Sequence, residues 1–371
     1  MKKIQLLLAI LLFTLSLSAQ DPNFHIYLCF GQSNMEGQGT IETQDLNEDE
    51  RFKVFQALDC PNLGRVKETW YTANPPNCQC YSKLSPSDNF GMTMVENLSD
   101  SITVGIINVS IAGCDIRIFD KDIYQDYDST YVEDWFLNKV AGYEGNPYQY
   151  LINLAQLAQQ DGVIKGILLH QGETNTGQTA WPSYVQKIYN DMLTDLSLDA
   201  TEVPILAGEM VSAPGNCCSS MNPIINQLPS LIPNAHVISS AGCGAADGAH
   251  FDSEGYRILG ARYADKMLTI VDTTAVTGIS KLAKEKFSLF KIYPNPVTNN
   301  TINVTFTLST KAFVSIKMFS PSGAEISEIA GREFISGEHS LKHIIPNLPA
   351  GVYYYIIRTD GFVSSKSLVI P

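Results

Sequence analysis

Short apolar runs alternate with amphipathic segments along the chain as far as Val271. Five runs are nearly continuous in apolar residues, as expected of strands buried on both faces: Phe24–Phe30, Val104–Val109, Val163–Leu169, Val203–Ala207 and His236–Ser239. Helices are predicted near residues 146–160, 181–197, 221–230 and 253–270. Alternating strands and helices predict an α/β domain over residues 21–271, in which helices cover both faces of a parallel sheet. Ligands bind such sheets beyond the carboxyl ends of the strands.

The pattern differs at the amino terminus. Two lysines precede the apolar run Ile4–Leu15 and a small polar stretch that ends at Gln20, which is the pattern of a secretory signal peptide over residues 1–20. The run is shorter than the roughly 20 apolar residues of a membrane-spanning helix, and no later stretch approaches that length. We therefore expect an exported, soluble mature protein without a membrane span.

The pattern changes again after Val271. Residues 272–286 are polar, small and charged, and are predicted to form a linker. From Phe287 to the end, short apolar strands alternate with turns rich in Gly, Pro and Asn, including Pro321-Ser322-Gly323. Regularly spaced short strands predict a small all-β sandwich over residues 287–371.

Composition and cysteine spacing argue against a nucleic-acid partner and against a zinc site. Of the 371 residues 44% are hydrophobic, which is enough for packed cores, and the formal net charge of −13 argues against a nucleic-acid partner. Eight cysteines in an exported chain favour disulfides. Cys78-Gln79-Cys80 lacks the usual spacing of zinc ligands, so neither a metal nor a cofactor is expected. The cysteines expected mainly to staple loops are Cys60, Cys78, Cys80, Cys217, Cys218 and Cys243.

The candidate chemistry begins directly after the first predicted strand. Gly31-Gln32-Ser33-Asn34-Met35 places Ser33 on a tight turn at the carboxyl edge of the sheet, where a nucleophile would be accessible. A serine in this position is by itself more often a helix N-cap, and its hydroxyl is a poor nucleophile without a base. The partners of Ser33 therefore decide its role.

A histidine with a nearby carboxylate follows late in the α/β domain. In Asp247-Gly248-Ala249-His250, a carboxylate three residues before the imidazole could accept the Nδ1 proton while Nε2 faces the serine. Histidine is suited by its pKa to general-base catalysis near neutral pH. The histidines expected to be structural instead are His25, His170 and His236.

Two further strand ends carry candidate oxyanion donors. Gly113 follows the second predicted strand, where a missing Cβ would let the backbone approach an oxyanion. Gln171 follows the third strand in His170-Gln171-Gly172-Glu173, and its amide could supply another donor. Cys114, beside Gly113, is compatible with either a disulfide or a free buried thiol.

Three of these blocks occur in the order found in SGNH hydrolases: Gly31-Gln32-Ser33-Asn34-Met35, His170-Gln171-Gly172-Glu173 and Asp247-Gly248-Ala249-His250. With these blocks the chain resembles the carbohydrate esterases of family 6 and the sialate O-acetylesterase-like proteins. The resemblance spans residues 24–270 and includes Gly255-Tyr256-Arg257-Ile258-Leu259-Gly260. It implies a three-layer, flavodoxin-like fold and metal-independent deacetylation. It further implies Ser33 and His250 as the central pair, with oxyanion donors at Ser33, Gly113 and Gln171.

The carboxylate that orients His250 has two candidates. Asp247 reaches Nδ1 through local spacing and is the preferred one, whereas Glu173 belongs to a block shared by the family and would need tertiary packing. If Asp247 is the partner, Glu173 is left to hold the Gln171 loop or to contact substrate.

The substrate is expected to be an acetylated carbohydrate, either a plant polysaccharide such as xylan or an acetylated sialic acid. Gln32 and Asn34, which flank Ser33, are predicted substrate-binding residues, together with Trp70 and Trp181. Trp135 is a further aromatic candidate for stacking on a sugar ring. The alternatives are a lipase or thioesterase on the same fold, and a carbohydrate-binding protein without catalysis.

The carboxyl-terminal part resembles the sorting domain of the type IX secretion system. The resemblance rests on Tyr293-Pro294-Asn295-Pro296, Ser320-Pro321-Ser322-Gly323 and Leu348-Pro349-Ala350-Gly351-Val352-Tyr353-Tyr354. It implies that the secretion machinery is a partner and that the protein reaches the cell surface or the medium. A generic immunoglobulin-like accessory domain is the alternative.

Overall fold

The chain forms two compact units in a computed structural model; the first ends at Asp272 and the second begins at Thr273. The structure describes residues 20–125, 133–212, 215–271, 287–308, 310–320, 324–359 and 362–371. The predicted signal peptide up to residue 19 and the predicted linker lie outside the described residues. No helix within these ranges is both long and apolar enough to cross a bilayer.

The first unit is built on one seven-stranded sheet. Its strands are β1 (Asp21–Gly31), β2 (Phe52–Phe55), β3 (Trp70–Thr72), β4 (Thr103–Ser110), β5 (Gly162–His170), β6 (Ile205–Gly208) and β7 (Ala235–Ile238). They lie in the order β3-β2-β4-β1-β5-β6-β7, and every neighbouring pair is parallel except β2 with β3. The described α-helices are α1 (Ser33–Glu36), α2 (Pro86–Asn97), α3 (Asp134–Gly142), α4 (Pro147–Ala158), α5 (Trp181–Asp195), α6 (Asn222–Ile225), α7 (Leu228–Leu231) and α8 (Ser253–Ile270).

Each apolar run predicted to be a strand overlaps a strand of this sheet, which confirms an α/β domain with a largely parallel sheet. The predicted helix at 221–230 is instead two short helices, because Pro229 lacks the N–H that a continuous helix would use there. The pattern did not reveal β2, β3, α2 or α3. The strand β2 has four residues, one of them a lysine, and half of the residues of α2 are polar.

The sheet is buried on both faces. Alternate side chains of β1 point in opposite directions, so Ile26 and Leu28 enter one hydrophobic cluster, shared with α4 and α5, while Tyr27 and Cys29 enter another, shared with α2 and α8. All four of these side chains are fully buried. Burial on both faces explains why the strands read as continuous apolar runs.

The second unit is antiparallel and all-β. Its strands are β8 (Phe287–Tyr293), β9 (Thr301–Leu308), β10 (Ala312–Phe319), β11 (Glu325–Phe334), β12 (Gly337–Ile344), β13 (Gly351–Thr359) and β14 (Phe362–Ile370). They form one sheet in the order β11-β10-β13-β14 and another in the order β12-β9-β8. Side chains of both sheets, including Phe306 and Tyr355, meet in one buried cluster.

Most of the six cysteines expected mainly to staple loops do form disulfides, and two do not. Cys60 and Cys80 form a disulfide, as expected of loop residues, and the adjacent Cys217 and Cys218 form another. Cys78 and Cys243 are free and buried, which corrects their expected pairing, and Cys114 is also a free buried thiol. With Cys80 in a disulfide, Cys78 and Cys80 do not form a pair of thiolates for zinc.

Candidate active site

The carboxyl end of β1 presents Ser33 through a close approach between two strands. A Cβ at Gly31 would lie 2.1 Å from the carbonyl oxygen of His170 on β5, and Gly31 has a φ of 153°. Only glycine allows the two strands to approach this closely. The chain then turns, and Ser33 becomes the first residue of α1 with a side chain of limited exposure. Its N–H belongs to the first helical turn, which has no acceptor within the helix.

Ser33, His250 and Asp247 form a continuous hydrogen-bonded series. Nε2 of His250 lies 2.9 Å from Oγ of Ser33, and Nδ1 lies 2.8 Å from Oδ2 of Asp247. The other carboxylate oxygen of Asp247 accepts the N–H groups of Ala249 (2.8 Å) and His250 (2.9 Å). Partial burial acts to raise the pKa of Asp247, but these hydrogen bonds together lower it to about 2. Asp247 is therefore ionised at neutral pH, with Nδ1 of His250 as its partner.

Glu173 is buried, and its hydrogen bond is with Asn34 and not with His250. Its Oε1 accepts the side-chain amide of Asn34, and its Oε2 has no hydrogen-bond partner among the described residues. Burial raises the pKa of Glu173, and the bond from Asn34 opposes that rise. Of the two carboxylates weighed from the sequence, the one bonded to His250 is thus Asp247.

The side chain of Asn34 holds the histidine loop and is not open to substrate. Besides Glu173, its amide donates to the carbonyl of Ala249 (3.0 Å), and its oxygen accepts the hydroxyl of Tyr256 (2.6 Å) and the N–H of Phe251 (3.4 Å). Asn34 is fully buried and its hydrogen-bonding capacity is filled. The substrate-binding role expected for it is therefore wrong.

Gln32 also makes internal contacts. Its Oε1 accepts Nε2 of Gln171 (3.0 Å) and the N–H groups of Gly172 and Thr174 (3.3 Å each). Within the described part of the chain, only its Nε2 is left for substrate. Substrate contact by Gln32 stays a prediction.

Gln171 is enclosed by the fold. Its two amide hydrogens face three acceptors, which are Gln32 Oε1, the carbonyl of Cys114 (3.0 Å) and Oδ1 of Asn175, and its own oxygen accepts the indole N–H of Trp181. An amide with this set of partners has no hydrogen left for an oxyanion. The donor role expected for Gln171 is contradicted. So is sugar stacking by Trp181, because that side chain is fully buried.

A partly buried ion pair holds the loop of Gly113. Oε2 of Glu36, on α1, accepts the N–H of Ala112 (2.7 Å), and its Oε1 binds the ammonium of Lys139 on α3. Glu36 is almost fully buried, and Gly113 has a φ of 76° that favours glycine. Sequence reasoning missed Glu36 and Lys139, which are separated by about a hundred residues. The only local signal was a charged residue within the turn that carries Ser33.

The remaining tryptophans lie at different ends of the first unit. The indole of Trp70 packs against Phe24 and donates to Asp161 (2.9 Å), and both partners lie at the amino-terminal ends of β1 and β5. Trp70 is thus at the opposite edge of the sheet from Ser33, which contradicts its expected role in substrate binding. Trp135, by contrast, is 48% exposed and lies against Gly113, where an added Cβ would be 2.9 Å from its ring.

The other conspicuous histidines are buried. His170 is fully buried, its ring nitrogens have no hydrogen-bond partner among the described residues, and Nε2 lies 3.8 Å from Oε1 of Glu173. Burial lowers the pKa of His170 to about 3. Burial also lowers the pKa of His25 to about 4. Both are neutral structural residues, as the sequence predicted.

The disulfide between Cys217 and Cys218 lies beside the histidine loop. The N–H of Cys217 donates to the carbonyl of Gly248 (2.8 Å), and the side chain of Asn216 donates to the carbonyl of Asp247 (2.8 Å). The loop that carries His250 is therefore held from one side by this segment and from the other by Asn34.

Two solved structures are similar to this chain. A protein from Arabidopsis thaliana is 17% identical with a TM-score of 0.52, and the match covers 67% of this chain and 99% of that one. A carbohydrate acetylesterase from Xanthomonas citri is 15% identical with a TM-score of 0.48, covering 89% of this chain and 74% of the other. The first of these similarities shows the fold alone.

Two family profiles match the chain in succession. The secretion system C-terminal sorting domain matches residues 291–371, and this domain marks proteins that type IX secretion exports to the cell surface or the extracellular space. The profile described as carbohydrate esterase, sialic acid-specific acetylesterase, matches residues 23–269. The chain thus belongs to this carbohydrate esterase family and carries a type IX sorting domain at its carboxyl end.

Proposed function

We propose that this carbohydrate esterase is a serine hydrolase that removes O-acetyl groups from sugars through an acyl-enzyme on Ser33. The observation that carries the proposal is the hydrogen-bonded series from Ser33 Oγ through His250 to Asp247, with distances of 2.9 and 2.8 Å. A nucleophile, a base and an orienting carboxylate in this arrangement support acyl transfer. We also propose that the first unit has the three-layer, flavodoxin-like arrangement of SGNH hydrolases.

The reaction has two acyl transfers. Ser33 Oγ attacks the acetyl carbonyl carbon while its proton moves to Nε2 of His250, and Asp247 stabilises the imidazolium that forms. Collapse of the tetrahedral intermediate breaks the bond to the sugar oxygen, which takes the proton from Nε2. Water then attacks the acetyl group on Ser33, with His250 again accepting a proton, and acetate leaves as Ser33 is restored.

The developing oxyanion needs fixed donors. The N–H of Ser33 at the start of α1 is one proposed donor, and the N–H of Gly113 is the other. Glu36 supports this assignment because it fixes the adjacent N–H of Ala112, and with it the course of the Gly113 loop. Donors held in place before the reaction need no reorganisation as charge develops.

The nucleophile is tested with a fluorophosphonate probe and intact-protein mass. The full chain should gain one probe mass on Ser33, and Ser33→Ala should melt at the same temperature, gain no mass and lose nearly all acetate release from p-nitrophenyl acetate. Labelling of another serine by an active Ser33→Ala variant would refute the assignment. No labelling and no hydrolysis by the unaltered chain would favour a binding protein.

The acyl group is tested by chain length. Rates on p-nitrophenyl acetate, butyrate and octanoate should fall steeply in that order for an acetylesterase. Rates that rise toward octanoate would favour the lipase or thioesterase alternative, which needs an extended apolar acyl groove.

A further inference from the structure

We propose that Trp135 is the platform on which the sugar ring of the substrate stacks, and that the site selects neutral acetylated sugars over acetylated sialic acid. This inference rests on the proposed esterase function. It concerns the sugar that leaves in the first acyl transfer.

The first observation is the position of Trp135. Nearly half of its surface is exposed, although large apolar side chains in this unit are mostly buried. The outer edge of its ring lies against Gly113, and a Cβ at that glycine would be 2.9 Å from the ring. An exposed indole beside the proposed oxyanion loop offers an apolar face to the CH groups of a sugar ring.

The second observation is that this indole is fixed relative to Ser33. Trp135 and Lys139 are four residues apart on α3 and therefore share a face of that helix. Lys139 binds Glu36, which is three residues after Ser33 on α1. The neighbouring Phe136 is fully buried and anchors α3 in the core. A platform held in this way loses little freedom when a sugar binds.

The third observation is the charge around this platform. Two cations near this platform are already paired: Lys139, on the same helix as Trp135, binds Glu36, and Arg117, four residues after Gly113, binds Asp115 at 2.9 Å. Exposed acidic residues, by contrast, stand beside the site.

Glu133 and Asp134 are exposed and directly precede Trp135, and Asp247 is ionised with a side chain that is 56% exposed. The carboxylate of a sialic acid would be repelled here, whereas a neutral sugar would not. The negative surroundings therefore favour a neutral ring on Trp135.

The test compares three acetyl esters with matched variants. The substrates are ethyl acetate, which has no sugar ring, an O-acetylated xylo-oligosaccharide, which is neutral, and an O-acetylated N-acetylneuraminic acid. Trp135→Leu removes the platform, Trp135→Phe keeps an aromatic face, and Trp70→Leu removes an indole at the far edge of the sheet. Thermal melts accompany each variant.

Trp135→Leu should raise KM for the xylo-oligosaccharide by about tenfold with little change in kcat, the size expected for loss of an aromatic contact. Its rate on ethyl acetate should not change, and Trp135→Phe should recover most of the affinity. Trp70→Leu should leave KM for all three esters unchanged. The unaltered chain should have a lower kcat/KM for the sialic ester, and added salt should narrow that gap.

Three results would overturn the inference. An equal loss on ethyl acetate and on the xylo-oligosaccharide would show that Trp135 supports the Gly113 loop and does not bind sugar. A kcat/KM for the sialic ester equal to or above that for the neutral ester would remove the charge argument. Inactivity on all three esters, with no labelling of Ser33 by a fluorophosphonate, would instead refute the proposed function and the inference with it.

Discussion

Replacement of Asp247 by asparagine tests the proposed triad through the tautomer of His250. Oδ1 of Asp247 accepts two backbone N–H groups, from Ala249 and His250, at 2.8 and 2.9 Å. In Asp247→Asn the amide oxygen must stay on these donors, so the amide NH₂ turns toward Nδ1 of His250. Nδ1 then becomes an acceptor, the proton moves to Nε2, and His250 no longer accepts the proton of Ser33.

The expected fall in kcat follows from the energy of the hydrogen bond between Asp247 and His250 and from the exposure of Asp247. Loss of a charge-assisted hydrogen bond to the imidazolium costs about 1.5–3 kcal/mol, which corresponds to roughly 10- to 100-fold in rate. The wrong tautomer adds to this loss, and in a buried triad the corresponding exchange lowers turnover about 10⁴-fold. The Asp247 side chain is 56% exposed, so water replaces part of its contribution. We expect kcat to fall by about 10² to 10³.

Glu173→Gln is the matched control, because it also converts a carboxylate near His250 into an amide. Its oxygen should still accept from Asn34, so kcat should fall by less than about tenfold. Both variants are assayed for acetate release from p-nitrophenyl acetate, with kcat and KM resolved and folding checked by thermal melts. A loss of orders of magnitude in Glu173→Gln, with less than tenfold in Asp247→Asn, would transfer the orienting role to Glu173.

Three further outcomes follow from the buried contacts and from the sorting domain. Glu36→Gln leaves Lys139 without its counter-charge, so the melting temperature should fall. In the same variant kcat should drop about tenfold with KM unchanged, and an unaltered kcat would be evidence that Glu36 does not position the Gly113 loop. His170 resists protonation only in the folded state, so the stability it supports is present above pH 6.5 and is lost as the pH falls toward 3. Urea unfolding of His170→Phe should therefore depend less on pH across that window, and equal dependence would contradict the reasoning. Deletion of residues 287–371 should leave esterase activity intact but stop export beyond the periplasm, and normal secretion of the truncated chain would exclude the sorting role.

Much of the candidate site was accessible from local sequence. Asp247 and His250 are three residues apart, and a contact within one loop depends little on the rest of the fold. The position of Ser33 followed from the apolar run of β1 and the residues after it, because the carboxyl ends of parallel strands share one edge of the sheet. The strand pattern itself followed from burial on both faces.

The side-chain partners were not accessible in the same way. Gln171 and Asn34 have the same chemical capacity whether they face a substrate or the protein interior, and only their neighbours decide between these possibilities. Asn34 meets Ala249, more than two hundred residues away. Glu36 meets Lys139, which is 103 residues away. Such pairs leave no periodic or short-range signal in a single sequence.

The tryptophans separate the two kinds of information most clearly. The sequence by itself determined the α/β and all-β parts, the strand ends where chemistry collects, and the residue types of the proposed series from Ser33 to Asp247. The tertiary structure decided that Trp181 is buried behind Gln171, that Trp70 lies at the opposite edge of the sheet, and that Trp135 is exposed beside Gly113. The physical reason is the distance along the chain over which each kind of information is set. Hydrophobic periodicity and short residue spacings describe a single element or loop, whereas exposure and contacts between distant residues arise only when the elements pack together.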